Sequence, residues 1–183
     1  MDWYALLKFL HVVSAVIWIG GAFVMIMLGV KADRGKDDAE FVGVVRQVAW
    51  AGERIYVPAS ISTLIFGVAT ATVGGLWSNL WVILGLVGVA ATITLGVAVL
   101  TPRAKKVETG FQAGGVTPAV LATSREILTI AKFDAVLLFV VIADMVLKPE
   151  TNDWAILTVM VIVLLAAAAV WLTPVFRKRA AIA

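Results

Sequence analysis

Long apolar runs separated by short polar stretches dominate this sequence. A helix rises about 1.5 Å per residue, so ~20 apolar residues cross a hydrocarbon core of ~30 Å. Five segments reach that length, which predicts helices at about 4–30, 41–76, 80–101, 118–147 and 154–176. The second is led in by an amphipathic run from Phe41, and the fourth is the least apolar. Lipid offers no partner to backbone N–H and C=O groups, so each crossing must satisfy them internally, as a helix does. The fold class expected is all-α: one polytopic transmembrane domain over residues 1–183 with five membrane helices. The first run, 22 residues from Phe9 to Val30, is longer than a cleavable signal core, and no small-x-small site follows it. It is read as a retained helix.

Composition supports that picture. The chain has 183 residues, of which 62% are hydrophobic, against about 45–50% in soluble domains. It has no Cys, which excludes disulfides, thiolate metal sites and thiol nucleophiles. No basic cluster is interleaved with aromatics, so nucleic acid is not an expected partner.

Charge placement predicts orientation. Lys31, Arg34, Lys36 and Arg46 follow the first helix; Arg103, Lys105 and Lys106 follow the third; Arg177, Lys178 and Arg179 follow the fifth. The second loop has no Lys or Arg and the fourth has only Lys148. The positive-inside rule puts the N-terminus outside and the C-terminus in the cytoplasm of a bacterial plasma membrane. Trp3, Tyr4, Trp77, Trp81 and Trp154 then fall at the outer boundary, where an aromatic belt sits. The third loop is expected to be irregular, ending in Thr117 as N-cap and Pro118 as the first helical residue.

A shift of 73 residues lays "NLWVIL" at Asn79–Leu84 on "NDWAIL" at Asn152–Leu157. A one-residue adjustment brings "LTPRAKK" at Leu100 onto "LTPVFRKR" at Leu172. Hydrophobicity alone does not explain Asn-x-Trp or Leu-Thr-Pro, so an internal repeat of 51–106 and 124–179 is expected. Both copies share one orientation. The first helix is then added to two repeated hairpins that form a bundle.

Ionisable groups inside a membrane are costly and each needs a reason. His11, the only His, lies near 10 Å below the outer boundary at helical rise, one turn beneath Lys8. Lys8 can snorkel to the surface. His11 reads as a packing residue, as a ligand of haem iron or a metal, or as a proton-relay or substrate group; for haem b, Met160 of the fifth helix lies at similar depth as second ligand. Asp144 is at matching depth near the end of the fourth helix, with Lys148 as an i+4 partner and His11 within possible reach. A deeper group comprises Arg46, Glu53, Arg54, Arg125, Glu126, Lys132 and Asp134. Glu53, Arg54, Glu126, Lys132, Asp134 and Asp144 form the candidate intramembrane polar network, read as interhelical ion pairing or as a polar route. No P-loop, zinc or catalytic-triad spacing occurs.

"LLKFLHVVSAVIWIGGAF", "VPASISTLIFG", the Trp81 that opens the third helix and "MVLKP" at the end of the fourth together resemble small bacterial integral membrane proteins of the DUF2269 type. The resemblance covers most of the chain. More distantly, the Lys-x-x-His helix ending in Trp-x-x-Gly is similar to the copper-resistance D domain and to HemJ-type protoporphyrinogen oxidase. The likeness to the oxidase implies haem binding at His11. The oxidase pattern also has a Lys soon after the Trp of the third helix, where this chain reads "WVILGL".

The function expected is that of a non-enzymatic membrane subunit or assembly partner, in a homodimer or larger membrane complex. The alternatives are a b-type haem electron-transfer protein with His11 as ligand, and a metal or small-solute permease built on Asp134 and the Glu53–Arg54 region.

Overall fold

The computed structural model describes residues 2–175. Among them are five long helices and no strand: α1 (Trp3–Arg34), α2 (Asp38–Val73), α3 (Leu80–Gly114), α4 (Pro118–Leu147) and α5 (Trp154–Val175). Successive helices run in opposite directions. One end of the bundle therefore gathers Trp3, Trp77, Trp81 and Trp154, here the aromatic end, and the other gathers most of the ion pairs, here the ion-pair end.

The ends of the helices follow local chemistry. Asp2 caps α1 by accepting from the Ala5 N–H, and Asp37 caps α2 by accepting from Ala39 and Glu40. Thr117 caps α4 as the sequence predicts, accepting from Val120 N ahead of Pro118. Gly115, at φ 69°, ends α3 in a conformation that a Cβ disfavours. Lys148 ends α4 in the left-handed region at φ 51° and Pro149 follows it.

Three helices run further than their apolar cores. α1 reaches Arg34, α2 already begins at Asp38, and α3 continues through Arg103, Lys105 and Lys106 to Gly114. The segment expected to be an irregular third loop is thus mostly helix, leaving 115–117 as the connection. Hydrocarbon thickness limits where apolar residues stop, not where a helix stops. A capped polar turn continues in water. Arg177, Lys178 and Arg179 lie outside the described residues.

Among the described residues four helices are long and apolar enough to cross a membrane: α1, α2, α3 and α5. α4 is not among them, so the expected count of five is not reached on length and composition. Every 18-residue stretch of α4 holds Lys132 and Asp134 together with Glu126 or Asp144. Its position accounts for these charges. α4 is the hub, packed against each of the other four helices, so its polar side chains meet protein. α5 rests on α4 alone among the closely packed pairs and leaves Val159, Ile162 and Leu165 more than half exposed, as a lipid-facing surface does.

Each of those four helices contains a π-helical turn: Val16–Gly20, Gly52–Tyr56, Leu95–Leu100 and Ala168–Leu172. Three of them end two residues before a proline, at Pro58, Pro102 and Pro174. Proline has no N–H and its ring crowds the preceding turn, which widens the helix there. In α3 the Thr101 hydroxyl donates to the Gly96 carbonyl at 3.0 Å, satisfying an acceptor of the widened turn.

Of the two hairpins expected from the repeat, α4 and α5 pack against each other along α5, whereas α2 and α3 do not pair along their length. Toward the aromatic end, α1 packs most closely on α2, and α3 on α4. The arms of the α2–α3 hairpin hardly touch there; they meet near the ion-pair end, where Val42, Val107 and Val120 are buried together. Small residues allow the close pairings. On α3, a Cβ at Gly85 or Gly88 would strike Met145 or Val141 of α4.

Candidate functional site: a groove between two helix pairs

Because the α1–α2 pair and the α3–α4 pair separate toward the aromatic end, a cavity of about 410 Å³ lies between them. α1 and α2 supply one wall, with Val12, Ala15, Leu64 and Val68; α3 and α4 supply the other, with Leu86, Val89, Val141 and Ile142. Trp18 lines it too and is buried with Ala59 and Leu138, which closes the groove toward the ion-pair end. Tyr4, Lys8, Trp81 and Lys148 stand at its aromatic-end rim. Apolar walls with a few polar groups are the usual make-up of a small-molecule site.

His11 faces this groove and not the surrounding lipid. Its Nδ1 lies 2.8 Å from the Thr63 carbonyl oxygen of α2. A carbonyl only accepts, so Nδ1 carries a proton and donates. In the neutral ring Nε2 then keeps its lone pair, and it has no hydrogen-bond partner among the described residues. The imidazole fits because position 67 is glycine: Cε1 and Nδ1 lie 2.9 Å from where a Cβ there would sit. Thr63 turns its own hydroxyl back to the Ala59 carbonyl, leaving its C=O to the ring.

Asp144 is not paired in either way the sequence suggested. It is 2% exposed, and neither carboxylate oxygen has a hydrogen-bond partner among the described residues. Lys148, its i+4 neighbour, leaves the helical path at the left-handed residue and places its ammonium 5.2 Å from the Trp81 ring centroid. His11 is engaged by Thr63. Met160 lies on α5, away from the groove lining; the methionine that lines it is Met145. Spacing along α4 could not have shown this, because Met145 is turned toward α3 by the gap at Gly85.

Among the described residues the deeper polar groups make separate interhelical contacts. Arg46 of α2 makes a two-bonded pair with Glu108 of α3, at 2.7 and 3.0 Å, and lies over the Phe111 ring. Arg103 of α3, nearly buried, pairs with Glu126 of α4 and also donates to the Val99 carbonyl. Arg125 of α4 reaches Asp33 and Asp38. Asp134 accepts from the Thr92 hydroxyl at 2.6 Å. Lys132 is half-buried. Glu53 and Arg54 are exposed, and Arg54 lies over Trp50 instead of turning toward Asp134. Sequence reasoning missed Glu108, Asp33 and Thr92, since partners on other helices have no signature in spacing. Among the described residues no group of three or more metal-ligating His, Asp or Glu occurs.

This arrangement is that of an all-helical integral membrane protein with a groove between helix pairs. The chain belongs to the family described as predicted integral membrane protein (DUF2269), which matches residues 5–149. The match spans α1 through the end of α4, and with it all of the groove lining except Tyr4. No curated protein matches the chain, and no solved structure does.

Proposed function

We propose that this is a non-enzymatic protein with five membrane spans that takes one lipid-soluble molecule from the outer leaflet into the groove between its helix pairs. α4 is the fifth span: 30 residues make a rod of about 45 Å, and its charges are sheltered by the four helices around it. The aromatic end faces outward, because Lys31, Arg34, Lys36, Arg103, Lys105 and Lys106 lie toward the opposite end. The bacterial plasma membrane is the setting that this arrangement suits. The observation that carries the reading is the groove itself, an apolar cleft of about 410 Å³, floored by Trp18 and rimmed by Lys8 and Lys148. An acyl or prenyl chain suits its walls. A photoactivatable phospholipid tests it, carrying its reactive group in the acyl chain. Cross-links concentrated on Val12, Val68 and Val141, and lost on Ala15→Trp, are expected. Cross-links spread evenly over every lipid-facing helix would overturn it.

The bond from His11 to Thr63 favours a second reading, haem b held at His11. A backbone carbonyl on Nδ1–H fixes the tautomer and orients Nε2 for a metal, as in many ligating histidines. His11 Nε2 would hold the iron and the Lys8 and Lys148 ammoniums at the rim would take the propionates, while haem, when bound, supplies one-electron chemistry. Met160 is not placed to be a second ligand; Met145 lines the groove instead. A visible spectrum of protein expressed with ample haem decides it. This reading requires a Soret band that vanishes in His11→Ala.

A further inference from the structure

Asp144 is the one residue among those described whose side-chain polar atoms are fully enclosed and unpartnered. The close approach of α3 encloses it. A Cβ on Gly85 would sit 3.4 Å from Asp144 Oδ2 and would strike the Met145 methyl group. Enclosing an ionised carboxylate with neither cation nor donor is strongly unfavourable. The Leu80–Thr94 half of α3, the Val57–Val73 half of α2 and the Trp154–Ala167 stretch of α5 contain no titratable side chain. Across the groove α1 presents Tyr4, Lys8 and His11, the last bonded to Thr63. Lys148 of α4 lies over Trp81. In the following loop, Glu150 accepts from the Leu80 N–H and Asp153 from the Glu150 N–H. None of these groups is paired with Asp144.

The next residue along α4 lines the groove, and Asp144 itself does not. Met145 lines the cavity, and its thioether lies against Gly85 beside the carboxyl. An unbranched methionine turns about three bonds at little cost. We propose that Asp144 is a proton-binding carboxylic acid in the wall of the groove, covered by Met145 and reached from the lipid when that side chain turns aside. The ligand is the proton itself, since the two ammoniums at the rim oppose entry of a larger cation. With Met145 aside, the acid offers an O–H donor to whatever the groove holds, so occupation and protonation are linked. The inference rests on the groove reading.

The test is labelling of the full-length protein in membrane vesicles with dicyclohexylcarbodiimide, which partitions into lipid and reacts with carboxylic acids. The acid proton moves to a carbodiimide nitrogen and the carboxyl oxygen bonds to the central carbon. The adduct rearranges to an N-acylurea with every atom retained. Peptide mapping is expected to find the adduct at Asp144, forming more slowly as pH rises, several-fold faster in Met145→Ala and absent in Asp144→Asn. A water-soluble carbodiimide is expected to leave Asp144 unmodified. No adduct at Asp144 in either wild type or Met145→Ala overturns the proposal, as does equal modification by the water-soluble reagent. Equal rates in wild type and Met145→Ala overturn the role of Met145 as the cover. Carbodiimide labelling that persists while phospholipid cross-linking shows no preference for the groove would retain the acid and remove the ligand-binding reading.

Discussion

The imidazole of His11 occupies the space that a side chain on Gly67 would need, with Cε1 and Nδ1 each 2.9 Å from that Cβ position. Two residues on different helices are thus fitted to each other, and the fit delivers Nδ1 to the Thr63 carbonyl. Gly67→Ala is expected to push the ring off that carbonyl. Overpacking of this kind costs about 1–3 kcal/mol. Thermal unfolding in detergent should show the loss, and His11→Ala should relieve most of it in the double variant. A Gly67→Ala penalty that is unchanged without the imidazole would show that the two residues are not coupled.

The glycines of α3 provide a second contrast. Gly85 and Gly88 have α4 side chains where a Cβ would go, whereas Gly43 of α2 has nothing within 4 Å. Gly88→Leu is expected to force α3 from α4 and lower the unfolding temperature sharply. Gly43→Ala is expected to be neutral or stabilising by up to ~1 kcal/mol, the helix-propensity difference. Equal effects of the two would mean that α3 and α4 do not meet at Gly88.

Among the ion pairs, burial sets the order of importance. The Arg103 side chain is 10% exposed and ties α3 to Glu126 while also holding the Val99 carbonyl. The Arg46–Glu108 pair is about a third or more exposed on both sides. Salt screens exposed pairs far more than enclosed ones. Arg103→Ala is therefore expected to destabilise more than Arg46→Ala, and to do so equally at low and high salt. The Arg46→Ala effect should shrink as salt rises. Unfolding temperatures at two ionic strengths check both.

Much of the fold was legible in the sequence. The apolar runs mark every helix core, and Thr117-Pro118 marks the start of α4 to the residue. The extension of α3 to Gly114 was not, because a stretch of Lys, Glu and Gln outside lipid reads equally well as loop or as exposed helix. Helix pairing was hidden for a related reason. Around a membrane helix the lipid-facing and protein-facing sides are both apolar, so periodicity does not choose a partner. That His11 faces inward follows from Gly67, 56 positions away, and the isolation of Asp144 follows from the backbone conformation of Lys148. The first signal lies far along the chain from the residue that it governs, and the second, one turn away, is a backbone conformation that the residue types do not display.

The proposed topology is open to direct mapping because the native chain has no Cys. Single cysteines at Ser78 and Thr151 fall in the two connections at the aromatic end, and one at Val116 falls in the connection at the other end. With five spans, Ser78→Cys and Thr151→Cys should react with a membrane-impermeant maleimide on intact cells. Val116→Cys should react only after permeabilisation. The comparison of Thr151 with Val116 isolates α4, since these positions bracket it. If both react from the same side, α4 does not cross, and a groove wall that depends on α4 standing beside α3 through the membrane would have to be abandoned. Opposite sides would place Lys132, Asp134 and Asp144 within a spanning helix, where packing on the four neighbours is what allows them.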